Sequence, residues 1–503
     1  MFNLLAEKIE SHASAADIFL AFFLSSRHSY WLDSSRVDTG YSRFSFMGDS
    51  SGPYAHLVRH TVGEAMYVHS ESRGETAGLG DIFRYLEDAL ANTRLTETTH
   101  NLPFNFVGGY VGYLGYELMA VTEFVNGHSS ALPNAVMLFS DRFIVIDHLE
   151  NVTYTVVLYK DDRSEAENWI RASRIRLQSL RSTPPPPRAT ICSPAEVEKY
   201  LVHDKRRYLA NISQCKEKIK AGESYEVCLT NRLRVPLCRY DGRDLFEAYL
   251  ILRETNPAPY ACFLKTETFA VMCSSPERFL KIDSHGQVEA RPIKGTMPRD
   301  RDTERDEANR IALGNEERFF SENLMIVDLL RNDLSRSCAP GSISVPALMK
   351  VESYATVHQL VSTIRGRLRE GVVNCIENCF PGGSMTGAPK KRTLEIINDI
   401  EGMPRGIYSG AIGYLSLNAS ADLNIVIRTI VVHQDVAEIG VGGAITYLSD
   451  PQQEYDEMLL KGLAPLSAIR ALMKDPDTIG PVAVAGTAVY DESRAEPDMV
   501  HVK

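Results

Sequence analysis

The chain has 503 residues, 44% of them hydrophobic, and a formal net charge of −11. That is too apolar for a disordered chain, and long enough for about two to four domain-sized units or one large elaborated fold. The acidic balance argues against a nucleic-acid partner, which normally meets a basic face, but not against a basic pocket for a small anion.

The longest apolar runs, such as "DIFLAFFL" at 17–24, fall far short of the roughly 20 residues a membrane span needs. The start, "MFNLLAEKIESH", has no basic flank before an apolar run, so neither a secretory leader nor a membrane partner is expected. None of the nine cysteines precedes Cys192, and they form no CxxC pair. Cys375 and Cys379 lack histidines at metal spacing, which leaves scattered reduced thiols in a cytoplasmic protein as the expectation.

In chain order, "FVGGYVGYLGYEL" (106–118) alternates glycine with large apolar residues and predicts strands whose backbones approach closely. "RFIVIDHLENVTYTVVLY" predicts a hairpin turning near Glu150 and Asn151. The prolines of "RSTPPPPRAT" (181–190) favour an extended segment and mark a boundary between an N-terminal region, 1–185, and a second region, 190–472. "KYLVHDKRRYLANISQCKEKIKAG" has helical periodicity and stops at Gly222. Strands are predicted in "SYEVCLTNRLRVPL", "YACFLKTETFAVMCSS" and "FLKIDSHGQVEARPI", then a long helix in "SENLMIVDLLRNDLSR". "GAIGYLSL", "NIVIRTIVVH" and "AEIGVGGAI" read as strands of one sheet, and 473–503 reads as a mobile tail. Strands in runs with several long helices predict an α+β fold with large antiparallel sheets.

Four constellations can carry chemistry. "RPIKGTMPRD" (291–300) frames Lys294 between Pro292 and Pro298, among Arg291, Arg299 and Arg301. An amine is nucleophilic only when deprotonated, and neighbouring cations with partial burial lower a lysine pKa. Glu277 in "SSPERFL" ends a strand and can face the same cleft; a surface pair with Arg278 is the alternative. "DPQQEYDEMLLKGL" opens with Asp450 as N-cap, Pro451 at the first helical position and Gln453 in capping-box position. Glu454, Glu457 and Lys461 then share one helix face, and Glu322 lies on another helix. Carboxylates from two helices suit magnesium, although pattern alone favours a simple Glu457–Lys461 pair. Finally, "FPGGSMTGAPKKRTLEII" and "GVGGAI" (440–445) read as glycine-rich turns beside these helices. They stand near Tyr408 and near Arg428, an arginine inside an apolar strand that needs an anion. Together these features predict a pocket for a small molecule with more than one carboxylate.

The motifs "SPERFL", "RPIKGTMPR", "ENLMIVDLLRNDLSR", "FPGGSMTGAPK", "GIYSGAIGYLS", "NIVIRTI" and "EYDEMLLK" occur in order between about 195 and 470. This set resembles the chorismate-utilising enzymes. "YWLDSS" and "LPFNFVGGYVGYLGYE" extend the resemblance into the N-terminal region. The implied fold is anthranilate synthase component I-like: antiparallel sheets in a sandwich-like core with helices packed outside. Within the family, lysine in "PIKGT" marks members that aminate chorismate at C4; anthranilate-forming members usually carry alanine there.

The resemblance implies that Lys294 attacks C2 of chorismate and displaces the C4 hydroxyl, with Glu277 as general acid. Ammonia then attacks C4 and releases the lysine. Glu322 and Glu457, with Glu454 nearby, would bind Mg2+, which would hold the ring carboxylate together with Lys461 and the backbone of Gly442, Gly443 and Ala444. Tyr408 and Arg428 would hold the enolpyruvyl carboxylate. Thr386 in the glycine-rich loop would contact substrate, and His358 matches a pocket histidine, with a core histidine as its alternative.

Two departures stand out. "EERFFS" replaces a polar stretch before Glu322, and Glu226 stands where many relatives have glutamine. No glutaminase constellation can be placed, so a glutamine amidotransferase subunit is the implied ammonia source. Anthranilate formation is the second reading. A non-catalytic chorismate-binding subunit is the third, and the intact Lys294, Glu277, Glu322 and Glu457 argue against it.

Overall fold

Stretches rich in β-branched and aromatic residues build two large sheets in this computed structural model. It describes residues 1–473 except 12, 38–41, 72–73, 79, 94, 97–101, 184–188 and 354–356. The prolines of the expected boundary and the tail after Met473 lie outside the described residues.

The eleven-stranded sheet runs Asn3–Ile9, Val152–Tyr159, Arg142–Asp147, Phe44–Asp49, Ser29–Asp33, Tyr260–Lys265, Phe269–Ser275, Thr429–His433, Val436–Ile445, Glu226–Pro236, Gly387–Ala388. The twelve-stranded sheet begins at Ile293–Pro298, then Val357–Arg367, Gln287–Ala290, Arg278–Ile282, Ala421–Ile425 and Ala411–Ser416. It continues through Gly109–Leu114, Ala135–Ser140, His56–His60, Met66–Ser70 and Gly74–Gly78, and Ser344–Ser353 pairs on Val357–Arg367. Each sheet is therefore part early chain and part late chain. The antiparallel seams are Trp31 opposite Phe263 in one sheet and Gly112 opposite Gly413 in the other.

The sheets face each other across an aromatic layer. Phe106 lies 4.7 Å from Phe143 of the first sheet and 4.9 Å from Tyr414 of the second, centroid to centroid. The outer face of the first sheet is covered by helices Ala15–Phe22, Lys205–Lys220, Gly242–Thr255, Lys390–Glu401 and Pro451–Ala468, whose apolar residues share a core with Trp31, Phe263 and Ile439. Glu317–Ser335 and Val372–Cys379 pack with the second sheet through Ile326, Leu330 and Ile376. Fully burying each such side chain contributes about 1.5–3 kcal/mol. Among the described residues no helix is long and apolar enough to cross a membrane, and all nine cysteines are free.

The hairpin is found as expected, with Asn151 at φ +52° in its turn. Four expectations need correction. The helix expected from Lys199 begins at Lys205, where the Asp204 side chain accepts a hydrogen bond from the Arg207 amide at 2.8 Å. Ahead of it the chain runs beside the strand Glu226–Pro236, the Val202 amide donating to the Arg232 carbonyl at 2.8 Å. The three late strands expected in one sheet divide between two: Ala411–Ser416 and Ala421–Ile425 belong to the second, Thr429–His433 and Val436–Ile445 to the first. Arg428 is the crossing point, at φ +53°, rather than a residue inside a strand. "GVGGAI" is not a turn but the end of the strand Val436–Ile445. Its glycines serve close approach, since a Cβ on Gly440 would fall 2.1 Å from the Tyr408 ring.

Candidate active site

The strand Ile293–Pro298 forms the edge of the second sheet and carries Lys294 inward, 8% exposed. The pairing with Val357–Arg367 slips between Ile293 and Thr296. Gly295 sits in that slip at φ +87°, and a Cβ there would lie 2.8 Å from the Phe319 ring and 2.9 Å from Leu313. Phe319 thus occupies the polar position lost from "EERFFS", and its ring lies against Gly295, next to the lysine in the chain.

Lys294 reaches across the sandwich to the first sheet. Its Nζ donates to Oε1 of Glu226 at 2.6 Å, and Glu226 is 1% exposed. This overturns the expected electrostatics of the lysine segment. The Arg291 guanidinium is paired with Glu352 at 2.7 Å and Arg299 with Asp306 at 2.8 Å, so neither supplies bare positive charge. Burial pushes the Lys294 amine down, but Glu226 and Glu322 outweigh it and hold the ammonium well above its ordinary range. Burial pushes the Glu226 carboxyl up, and Lys294 opposes that. The free protein therefore holds Lys294 charged, not neutral.

Glu277 follows the strand Phe269–Ser275 and is 8% exposed. The surface pair with Arg278 does not form: that guanidinium is bidentate with Asp422, at 2.8 and 3.0 Å. Burial raises the Glu277 carboxyl to about 7, against lowering contributions from the Ser384 side chain, Lys294 and the Ile293 amide. Lys294 and Glu277 thus act on each other in one buried place, one charged and the other poised near neutrality. Ser384 was not singled out from sequence; its position in "FPGGSMTGAPK" was the available signal.

That loop is braced from behind. The Cys228 amide donates to the Thr386 carbonyl at 2.9 Å. The Thr386 hydroxyl is spent on the loop's own Gly383 carbonyl at 3.2 Å, so this side chain holds the turn. Lys390 pairs with Asp333 at 2.6 Å and donates to the Cys379 carbonyl at 2.9 Å, tying the loop exit to the helix that carries Glu322. Behind it, Arg405 forms a buried pair with Glu401 at 2.7 Å and lies over the Tyr116 ring.

The second group of expected residues also assembles. Cys228, Leu229 and Thr230 lie opposite Ala444, Gly443 and Gly442, which sets the glycine segment beside the strand of Glu226. The helix Pro451–Ala468, capped by Asp450 through the Gln453 amide at 2.9 Å, faces that segment. Lys461 Nζ donates to the Gly442 carbonyl at 2.8 Å and pairs with Glu457 at 2.8 Å. A Cβ on Gly443 would meet Glu454 Oε2 and Lys461 Nζ, each at 3.4 Å. Arg428 Nη1 donates to the Lys461 carbonyl at 3.5 Å, and burial lowers its guanidinium, against Tyr408 and Glu457. Lys461, Glu457, Glu454, Tyr408 and Arg428 thus surround one strip of backbone. Glu322, 6% exposed, acts instead on Lys294 and Glu226. Among the described residues no three His, Cys, Asp or Glu side chains are drawn together as a metal cage.

His358 stands apart. Its ring nitrogens are used by Ser353 at 2.7 Å and Asp306 at 3.0 Å, which fits the core-histidine alternative. A cavity of about 340 Å³ between the sheets, lined by Ser34, Phe44, Tyr260, Tyr414 and Asn424, contains none of Lys294, Glu277, Glu226, Glu322, Arg428 or Lys461.

Residues 47–467 match the family model described as chorismate binding enzyme. The chain is 45% identical over 463 residues to an aminodeoxychorismate synthase of Streptomyces pristinaespiralis, covering 90% of this chain and 63% of that protein. It therefore spans less than two thirds of that relative's length. It is 34% identical to aminodeoxychorismate synthase component 1 of Escherichia coli (strain K12), with 87% of this chain and 92% of that one covered. The fold matches the crystal structure of anthranilate synthase component I from Streptococcus pneumoniae TIGR4, with a TM-score of 0.70, 23% identity, and coverage of 86% and 94% of the two chains. With the family model matched over residues 47–467, across strands of both sheets, this chain belongs to the chorismate binding enzymes.

Proposed function

We propose that this chain aminates chorismate at C4 to give 4-amino-4-deoxychorismate, with Lys294 as nucleophile and Glu277 as general acid. The observation that most supports this is the shared burial of the two groups, with the Glu277 carboxyl raised to about 7 by its surroundings. Hydroxide is a poor leaving group, and an acid that still holds its proton near neutrality can turn it into water. Lys294, once neutral, adds at C2 as the C4–O bond breaks. Ammonia then adds at C4 as the C2–N bond breaks, and the amine stands where the hydroxyl was. The relatives named aminodeoxychorismate synthase lend weight to this reading.

Arg428 and Tyr408 would take one substrate carboxylate, and Lys461 with the Gly442–Ala444 backbone the other. Carboxylates on two helices suit Mg2+, which keeps several waters, and Glu322 and Glu457, with Glu454, are the residues that would hold it. When bound, the ion supplies charge that neutralises the ring carboxylate. A glutamine amidotransferase subunit is the proposed ammonia source. The nine free cysteines support a reducing, cytoplasmic setting.

Anthranilate formation is the second reading, favoured by 31% identity to anthranilate synthase component 1 of Methanothermobacter thermautotrophicus over 94% of that protein. One assay separates the two. Chorismate, ammonium and magnesium should yield a product with the mass of aminodeoxychorismate that an added lyase converts to 4-aminobenzoate. Fluorescent anthranilate with pyruvate release supports the second reading instead, and no turnover supports a non-catalytic subunit.

A further inference from the structure

The lysine that must attack as a neutral amine is held as an ammonium, so something must take its proton within a closed site. Glu226 is the group in contact with that amine, its Oε1 2.6 Å from Nζ. The pair spans the two sheets and is almost wholly buried. The second oxygen, Oε2, is buried and has no hydrogen-bond partner among the described residues. A buried acceptor left unpaired needs an explanation, and a functional use is one. The charged groups acting on the pair are Glu322 and, through Lys294, Glu277; Cys228 is the nearby thiol. Glu226 is hydrogen-bonded to the amine.

We propose that Glu226 is a further catalytic residue, the base that takes the proton of the Lys294 ammonium before that amine attacks the ring. The inference rests on the lysine route proposed above. In balance, the Lys294 ammonium and the Glu226 carboxylate become a neutral amine and a carboxylic acid. The amine's electron pair forms the bond to C2, the C4–O bond breaks, and the Glu277 proton leaves with the hydroxyl as water. Ammonia forms the C4–N bond, the C2–N bond breaks, and Lys294 departs as a neutral amine. The new C4 ammonium returns a proton to Glu277, and Glu226 returns its proton to Lys294. The net change is chorismate plus ammonia to the amino product plus water, with no proton left over.

The test is Glu226→Gln, which keeps the shape and an acceptor oxygen but cannot take the proton. The full chain is mixed with chorismate and magnesium without ammonium, quenched in acid at intervals, and the Lys294 adduct is followed by peptide mass. Chorismate affinity and Tm are measured alongside. The expected result is adduct formation slowed about 100-fold, at the lower end of general-base effects, with affinity little changed and Tm lowered because the Lys294 ammonium loses its buried counter-charge. Glu226→Asp, which keeps a carboxylate at shorter reach, should fall between the two, and it carries the test if the glutamine variant does not fold. Adduct formation at the parent rate in Glu226→Gln overturns the proposal while leaving the lysine route intact. Amination at C4 that survives in Lys294→Ala overturns the route and this inference with it.

Discussion

Glu226 and Lys294 lie on different sheets, 68 residues apart in the chain, and their charged groups meet at 2.6 Å with almost no solvent between or around them. The pair joins the strand Glu226–Pro236 of the first sheet to the edge strand Ile293–Pro298 of the second. It also stores the lysine as an ammonium. On the proposed route, reactivity depends on proton movement inside the sandwich rather than on a lysine kept neutral at rest.

The Glu277 carboxyl, raised to about 7, predicts a pH dependence. Its acid form is needed when the hydroxyl leaves, so turnover should fall as pH rises through about 7. Glu277→Gln should lose about 100-fold or more in kcat/KM and lose that inflection. A pH–rate profile of both proteins checks this, and an unchanged profile in the variant would contradict the acid role.

The same shift has a stability consequence. The folded carboxyl holds its proton between its ordinary value of 4.5 and about 7, where the unfolded chain has released it. The stability tied to that proton is therefore present at low pH and lost as pH rises through this window. At about pH 8, Glu277→Gln should be more stable than the parent by on the order of 2–3 kcal/mol. Denaturant midpoints at about pH 5 and about pH 8 decide the matter, since the gain should appear only at the higher pH.

Gly295→Ala should be costly on two counts. The backbone is at φ +87°, and the new methyl would meet Phe319 at 2.8 Å and Leu313 at 2.9 Å. A loss of roughly 1–3 kcal/mol is expected, together with displacement of Lys294 and lower activity. Phe319→Ala in the same chain should relieve the contact with Phe319 but neither the contact with Leu313 nor the backbone strain. A double variant restored fully to parent Tm would show that the strain component is absent.

Arg405→Met should destabilise by roughly 3–5 kcal/mol, because Glu401 is left buried and charged. Glu401 is 2% exposed and also accepts from the Thr230 amide at 2.7 Å, in the strand that Glu226 begins. Thermal unfolding with a paired Glu401→Gln/Arg405→Met variant separates the charge from the packing: the double variant should recover part of the loss.

Much of this was legible in the chain. Asp450 and Pro451 mark the helix that carries Glu454, Glu457 and Lys461, because capping is local chemistry. Alternation marks strands for the same reason. Alternation does not say which sheet a strand joins, so the crossing at Arg428 was missed. A left-handed residue in an apolar run leaves no periodic trace. The charge state of Lys294 was misread because Arg291 and Arg299 are neighbours only in sequence; their partners, Glu352 and Asp306, come from elsewhere. Glu226 was visible as an unusual residue, but its role depends on how two sheets face each other.

The most direct test of the account is to locate the covalent intermediate. The protein is mixed with chorismate and magnesium, quenched in acid within one turnover, digested and mapped by mass. The account predicts an added ring mass on the peptide containing Lys294, absent from Lys294→Ala. The same mass on another side chain, or C4-aminated product formed by Lys294→Ala, would contradict it.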